Sequence, residues 1–132
     1  MKIYFAGLLF SEADRDWSRA TIKEIQSLAV QHGADLKIIF PYGLITEAEI
    51  DRLGSNAKFE IFSRCKEHLD DADMVIARLD GPQVDDGTAW EIGYFYAKMS
   101  PEKKIIGIRT DFRRASECEG ACVRLNSASA LP

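Results

Sequence analysis

Asp85, Asp86 and Glu91 fall close together in the segment GPQVDDGTAWEIGYFYAK (81–98), with Gly87 among them and Trp90, Tyr94 and Phe95 close by. A carboxylate walled by aromatic rings suits a pocket for a sugar or a planar base. A purely local reading competes. T-A-W-E (88–91) has capping-box spacing, in which the Thr88 hydroxyl caps a helix and Glu91 reaches back to the Thr88 amide. Position argues for chemistry: this helix begins at the strand-end rim where open α/β sheets bind ligands. Its N-terminal amides favour a nearby anion and are expected to keep Glu91 ionised. Tyr4 either packs in the core or, with its hydroxyl at the rim, holds a carboxylate such as Glu91. Gly7 is either a turn residue or a point of close ligand approach.

These residues need a frame. Four continuous apolar runs, KIYFA (2–6), LKIIF (36–40), DMVIARL (73–79) and KIIGI (104–108), read as strands covered on both faces. Helical patterns alternate with them. Ser11 is a candidate N-cap for a helix burying Trp17, Ala20, Ile25, Leu28 and Ala29 and ending at His32-Gly33. Thr46 and Glu49 have capping-box spacing. Phe59, Phe62, Cys65 or Lys66, and Leu69 mark the stripe of a further helix, and another runs from about Thr88 to Lys98. Strand-helix alternation predicts an α/β fold: one domain over 1–132, an open parallel sheet of four to five strands with helices on both faces. Gly7, Pro41-Tyr42-Gly43 and the 80–91 loop then share one rim.

Composition excludes several classes. The net charge of −4 provides no basic footprint for nucleic-acid polymers or anionic membranes. No apolar run approaches the roughly 20 residues of a membrane span, and the N-terminus reads as strand and loop rather than a signal peptide. AGLLFSEAD carries neither the dinucleotide-binding nor the P-loop glycine pattern. Cys118 and Cys122 lack the second pair or histidine cluster of a structural zinc site, and with Cys65 they read as free thiols of a cytoplasmic protein. No cofactor or metal is expected.

IYFAGLLFSEADRDW (3–17), DADMVIARLDGPQVDDGTAWEIGYFYA (71–97) and DFRRASECEGACVRLN (111–126) together resemble the nucleoside 2-deoxyribosyltransferases. The D-x-G-T-x-x-E-x-G-Y core is the most specific part. The resemblance implies a flavodoxin-like domain that exchanges the base of a 2'-deoxyribonucleoside for a free nucleobase. It implies that Glu91 is the nucleophile, forming a covalent deoxyribosyl-enzyme through oxocarbenium-like transition states, as in a retaining glycosidase. Tyr4 matches the tyrosine that orients it. Asp85, with Asp86 as the alternative register, matches an aspartate that binds the sugar hydroxyls, and it would repel a 5'-phosphate. Gly7, Gly87 and Trp90 are further candidates for the substrate site. A homo-oligomer is implied, at least a dimer, with active sites completed by a neighbour's C-terminal asparagine.

Two departures stand out. The I-F-x-x-D pattern, whose aspartate moves protons to and from the base, reads I-F-S-R-C here, with Cys65 in its place. A thiol with an ordinary pKa of about 8.5 is a poor substitute. The V-N-L-M pattern reads Val123-Arg124-Leu125-Asn126, leaving Asn126 to supply the asparagine by a shifted register. The departures keep two alternatives open: an N-glycosidase acting on deoxynucleosides or their 5'-monophosphates, and a catalytically weak nucleoside-binding protein.

Overall fold

The computed structural model describes residues 1–111. Strands β1 (Lys2–Ala6), β2 (Lys37–Ile39), β3 (Met74–Arg78) and β4 (Lys104–Ile108) form one parallel sheet in the order β2-β1-β3-β4. This is a flavodoxin-like arrangement, with β1 and β3 at the centre. Helices α1 (Glu12–Gln31), α2 (Glu47–Leu53), α3 (Ala57–Asp70) and α4 (Asp86–Lys98) complete the fold, and a 3-10 turn covers Pro41–Gly43.

Strand pleating builds two cores. Tyr4 and Ala6 of β1 join Val75, Ala77 and Ile105 on one face, against Leu69, Ile92 and Phe95 of α3 and α4. Ile3 and Phe5 point the other way, with Ile76, against Trp17, Ile22 and Ile25 of α1. The central strands are therefore apolar without alternation, because both faces are covered.

The helices start where side chains can cap them. Ser11 accepts from the Asp14 amide at the start of α1. Thr46 and Glu49 form a complete capping box on α2. Helix α1 ends at His32, followed by Gly33 at φ 68°.

Three expectations need correction. The buried line of α1 runs through Ser18, Ile22, Ile25 and Ala29, while Ala20 and Leu28 face solvent. In α3 the buried line is Ala57, Cys65 and Leu69, and Phe59 (65% exposed) and Phe62 (51% exposed) turn outward. Helix α4 begins at Asp86, not Thr88. Asp85 is its N-cap and accepts from the Thr88 amide at 3.0 Å and the Thr88 hydroxyl at 3.2 Å. Thr88 is thus a buried partner of the cap rather than the cap itself, and Glu91 has no capping role.

Candidate active site

Glu91 lies in the second turn of α4, beyond the first turn where the helix dipole is strongest. Its partner comes from the middle of the sheet. The Tyr4 hydroxyl donates to Glu91 Oε1 at 2.5 Å, across 87 positions of sequence. Tyr4 is fully buried and its ring is locked in the core, so the bond fixes one carboxylate oxygen and leaves Oε2 for another partner.

The electrostatics run against the expectation of a helix-stabilised anion. Burial pushes the Glu91 carboxyl up from its ordinary 4.5 to about 7, the Tyr4 hydrogen bond opposes this, and the Asp85 charge adds to it. Burial raises Tyr4 far above the usual phenol range, and Glu91 and Cys65 push the same way. Burial also raises the Cys65 thiol, partly offset by Tyr4 and reinforced by Glu91. Tyr4 and Cys65 therefore stay protonated at neutral pH, and Glu91 is the group that titrates there.

Glu91 opens onto a cavity of about 620 Å³. Gly7, Cys65, Asp85, Gly87 and Thr88 share its lining with Glu91, while Leu9, Phe10, Pro41, Tyr42, Ile45, Ile50 and Ile61 make it predominantly apolar. Gly7 sits tight against the next strand: a β-carbon there would lie 3.2 Å from Arg78 Cβ. Arg64 braces the far wall. Its guanidinium donates to the Leu44 carbonyl at 2.6 Å, to Glu49 at 3.0 Å and to Glu60 at 2.8 Å, tying the 44–50 segment to α3. Asp85 uses Oδ2 for the cap and leaves Oδ1 without a partner among the described residues. A half-buried carboxylate, a second carboxylate nearby and an apolar cavity can accommodate a sugar with a planar base.

Of the residues singled out in the sequence, Tyr4, Gly7, Cys65, Asp85, Gly87 and Glu91 come together at this cavity. Asp86 is exposed at the first position of α4 and does not line it. Trp90, 41% exposed, stacks on Tyr94 with ring centroids 5.0 Å apart and packs beside Phe62. Tyr94 donates to Asp70, and Phe95 belongs to the core. The aromatics flanking Glu91 in sequence thus do not wall it in space, because successive helical positions point in different directions. The walls come instead from Leu9, Phe10, Tyr42, Ile45, Ile50 and Ile61. The signal for Phe10 and Tyr42 was their place just beyond strand ends. Asn126 lies outside the described residues, as do Arg124, Cys118 and Cys122. Among the described residues no group of histidine, cysteine or carboxylate side chains could hold a metal ion, and no helix is long and apolar enough to cross a membrane.

Strand order and a carboxylate-bearing cavity at the strand ends define a flavodoxin-like α/β protein with a candidate ligand site at its rim. Residues 3–128 match the family model described as nucleoside 2-deoxyribosyltransferase, and the chain belongs to that family. Two solved structures are similar. A conserved protein from Enterococcus faecalis V583 is 28% identical with a TM-score of 0.68, the match covering 85% of this chain and 65% of that one. A 2-desoxiribosyltransferase from Leishmania mexicana is 26% identical with a TM-score of 0.61, covering 88% and 69%. This chain thus spans just under two thirds of the length of the Enterococcus protein. Among curated proteins nothing matches.

Proposed function

We propose that the protein transfers 2-deoxyribose between nucleobases of 2'-deoxyribonucleosides, with Glu91 as nucleophile. The observation that carries this reading is the Tyr4–Glu91 hydrogen bond at the wall of an apolar cavity, in a chain of this family. In the first step the free Oε2 of ionised Glu91 attacks C1' of the sugar. The C1'–N bond breaks, its electron pair leaves with the base, and the base takes up a proton. In the second step a ring nitrogen of the incoming base attacks C1'. The C1'–O bond breaks, its pair returns to Glu91, and the base loses its N–H proton. Each transition state carries positive charge on the sugar, which an adjacent carboxylate stabilises.

The other residues take supporting roles in this scheme. Tyr4 orients the carboxylate, and Oδ1 of Asp85 accepts from a sugar hydroxyl. Gly7 and Gly87 let the substrate approach the backbone. The apolar lining holds the base. No cofactor takes part.

Incubation with 2'-deoxyinosine, with and without adenine, tests the proposal. Transfer yields 2'-deoxyadenosine only when adenine is present, whereas free deoxyribose without acceptor indicates an N-glycosidase. Full turnover by Glu91→Ala refutes the nucleophile assignment. A second reading, a weakly catalytic nucleoside-binding protein, is favoured by the neutral Cys65 thiol in the cavity lining. It predicts saturable nucleoside binding with no product.

The working unit in this proposal is a homodimer or larger homo-oligomer with shared sites. The outward-facing Phe59, Phe62 and Trp90 support it, since exposed aromatic clusters mark interaction surfaces. Light scattering should give at least twice the 14.8 kDa chain mass. A cytoplasmic location is part of the same reading, and the free thiol of Cys65 suits a reducing compartment.

A further inference from the structure

Two stretches of the cavity lining come from different parts of the chain. Leu9 and Phe10 belong to the loop between β1 and α1, and Tyr42 to the 3-10 turn after β2. Among the described residues no hydrogen bond joins these two segments directly. One side chain touches both. Arg15, in the first turns of α1, donates from Nη1 to the Leu9 carbonyl at 2.8 Å and to the Phe10 carbonyl at 3.1 Å. Its guanidinium also lies over the Tyr42 ring, 4.9 Å from the centroid, and Arg19 covers the same ring at 5.4 Å. A guanidinium is suited to this double contact because it donates in its plane and stacks with its face.

Phe10 is 80% exposed although it lines the cavity. A ring so placed has little packing of its own to hold it, so its backbone anchor decides where it stands. The anchor is Arg15.

We propose that Arg15 is a positioning residue that fixes the separation of the Phe10 and Tyr42 walls, so that an acceptor base, not water, occupies the space over C1'. The inference rests on the transferase reading above. The deoxyribosyl ester on Glu91 has two fates. Attack by a base nitrogen forms C1'–N, breaks C1'–O, returns the electron pair to Glu91 and releases the base proton. Attack by water forms C1'–OH with the same bond broken and pair returned, and releases one proton of the water. A lining held firmly around the acceptor base favours the first. A slack lining admits the second.

The test compares wild type with Arg15→Met, which keeps an unbranched stem, and Arg15→Lys, which keeps the charge but loses the planar fork. With 2'-deoxyinosine and saturating adenine, the ratio of free deoxyribose to 2'-deoxyadenosine should rise about tenfold in Arg15→Met, the equivalent of about 1.4 kcal/mol, and less in Arg15→Lys. The KM for adenine should rise more than kcat falls. A general loss of folded enzyme would lower both products together and leave their ratio unmoved, and that result overturns the proposal. Equilibrium binding of adenine by calorimetry provides an arm independent of turnover. It should weaken about tenfold in Arg15→Met, and equal affinity in folded variant and wild type overturns the proposal. Failure of the wild type itself to transfer counts against the transferase reading, and the calorimetric arm still judges Arg15. If Arg15→Met does not fold, Arg15→Lys carries both readouts.

Discussion

Replacing Glu91 by glutamine should abolish turnover and stabilise the protein, but only at high pH. Glutamine keeps the shape and can still accept the Tyr4 hydroxyl through its amide oxygen. It removes the titration. The folded-state pKa of Glu91, about 7, lies above its ordinary 4.5, so the native state binds the proton more tightly than the unfolded chain. The associated stability is complete below pH 4.5 and is lost as the pH rises through about 7. Each pKa unit corresponds to about 1.4 kcal/mol, so the full shift would cost the ionised wild type about 3 kcal/mol at pH 8 and under about 1 kcal/mol at pH 5. Solvent reaches part of the carboxyl through the cavity, which reduces the pH 8 figure to about 2 kcal/mol. For a domain of this size that is a rise in Tm of roughly 5–10 °C. Urea unfolding of both proteins at pH 5 and pH 8 measures it directly. The glutamine variant should exceed wild type by about 2 kcal/mol at pH 8 and nearly coincide with it at pH 5. Equal or lower stability of the variant at pH 8 would refute the claim that burial governs this carboxylate.

Further outcomes follow from the same geometry. Under the proposed attack by ionised Glu91, the acid limb of kcat/KM for deoxynucleoside should bend at about pH 7; a limb near 4.5 would contradict its burial. Cys65→Asp should raise kcat for purine exchange about tenfold by restoring a titrating group for base protonation. It should also move that acid limb upward, since a second carboxylate beside Glu91 disfavours its ionisation; unchanged kcat and limb would remove Cys65 from the reaction. Ser18 is fully buried with no hydrogen-bond partner for its hydroxyl among the described residues. Ser18→Ala should therefore stabilise the fold by about 1 kcal/mol in chemical denaturation, and a loss of stability would point to an unrecognised partner.

The scaffold was legible because its signals are local and redundant. Each strand falls inside a largely continuous apolar run, and KIIGI (104–108) matches β4 residue for residue. Capping is local too, but not unique. Thr46–Glu49 and Thr88–Glu91 share one spacing, and only the first forms a capping box. The second pattern overlaps a stronger one. Asp85 stands three residues before Thr88 and satisfies the N-cap rule by itself. Helix faces were harder, since amphipathic spacing does not say which large side chains a neighbour covers. Phe59 and Phe62 have the right spacing and the wrong side.

The cap assignment bears directly on the chemistry. Had Thr88 capped the helix, Glu91 would sit in its first turn, spend its charge on a backbone amide and be held acidic. With the cap moved three residues earlier, Glu91 is a turn further along, beyond the strongest part of the dipole and facing Tyr4. Burial then raises its pKa, and Asp85, engaged on the cap, adds a like charge nearby. Nearly two turns of helix thus separate the two carboxylates into different duties. Asp85 starts the helix and lines the cavity, with one oxygen without a partner among the described residues. Among the described residues Glu91 has a single neutral donor, so its ionised form is poorly solvated. In the proposed transfer an oxocarbenium-like sugar would supply a positive charge beside it in the transition state, so a carboxylate unfavourable at rest is well matched to that proposal.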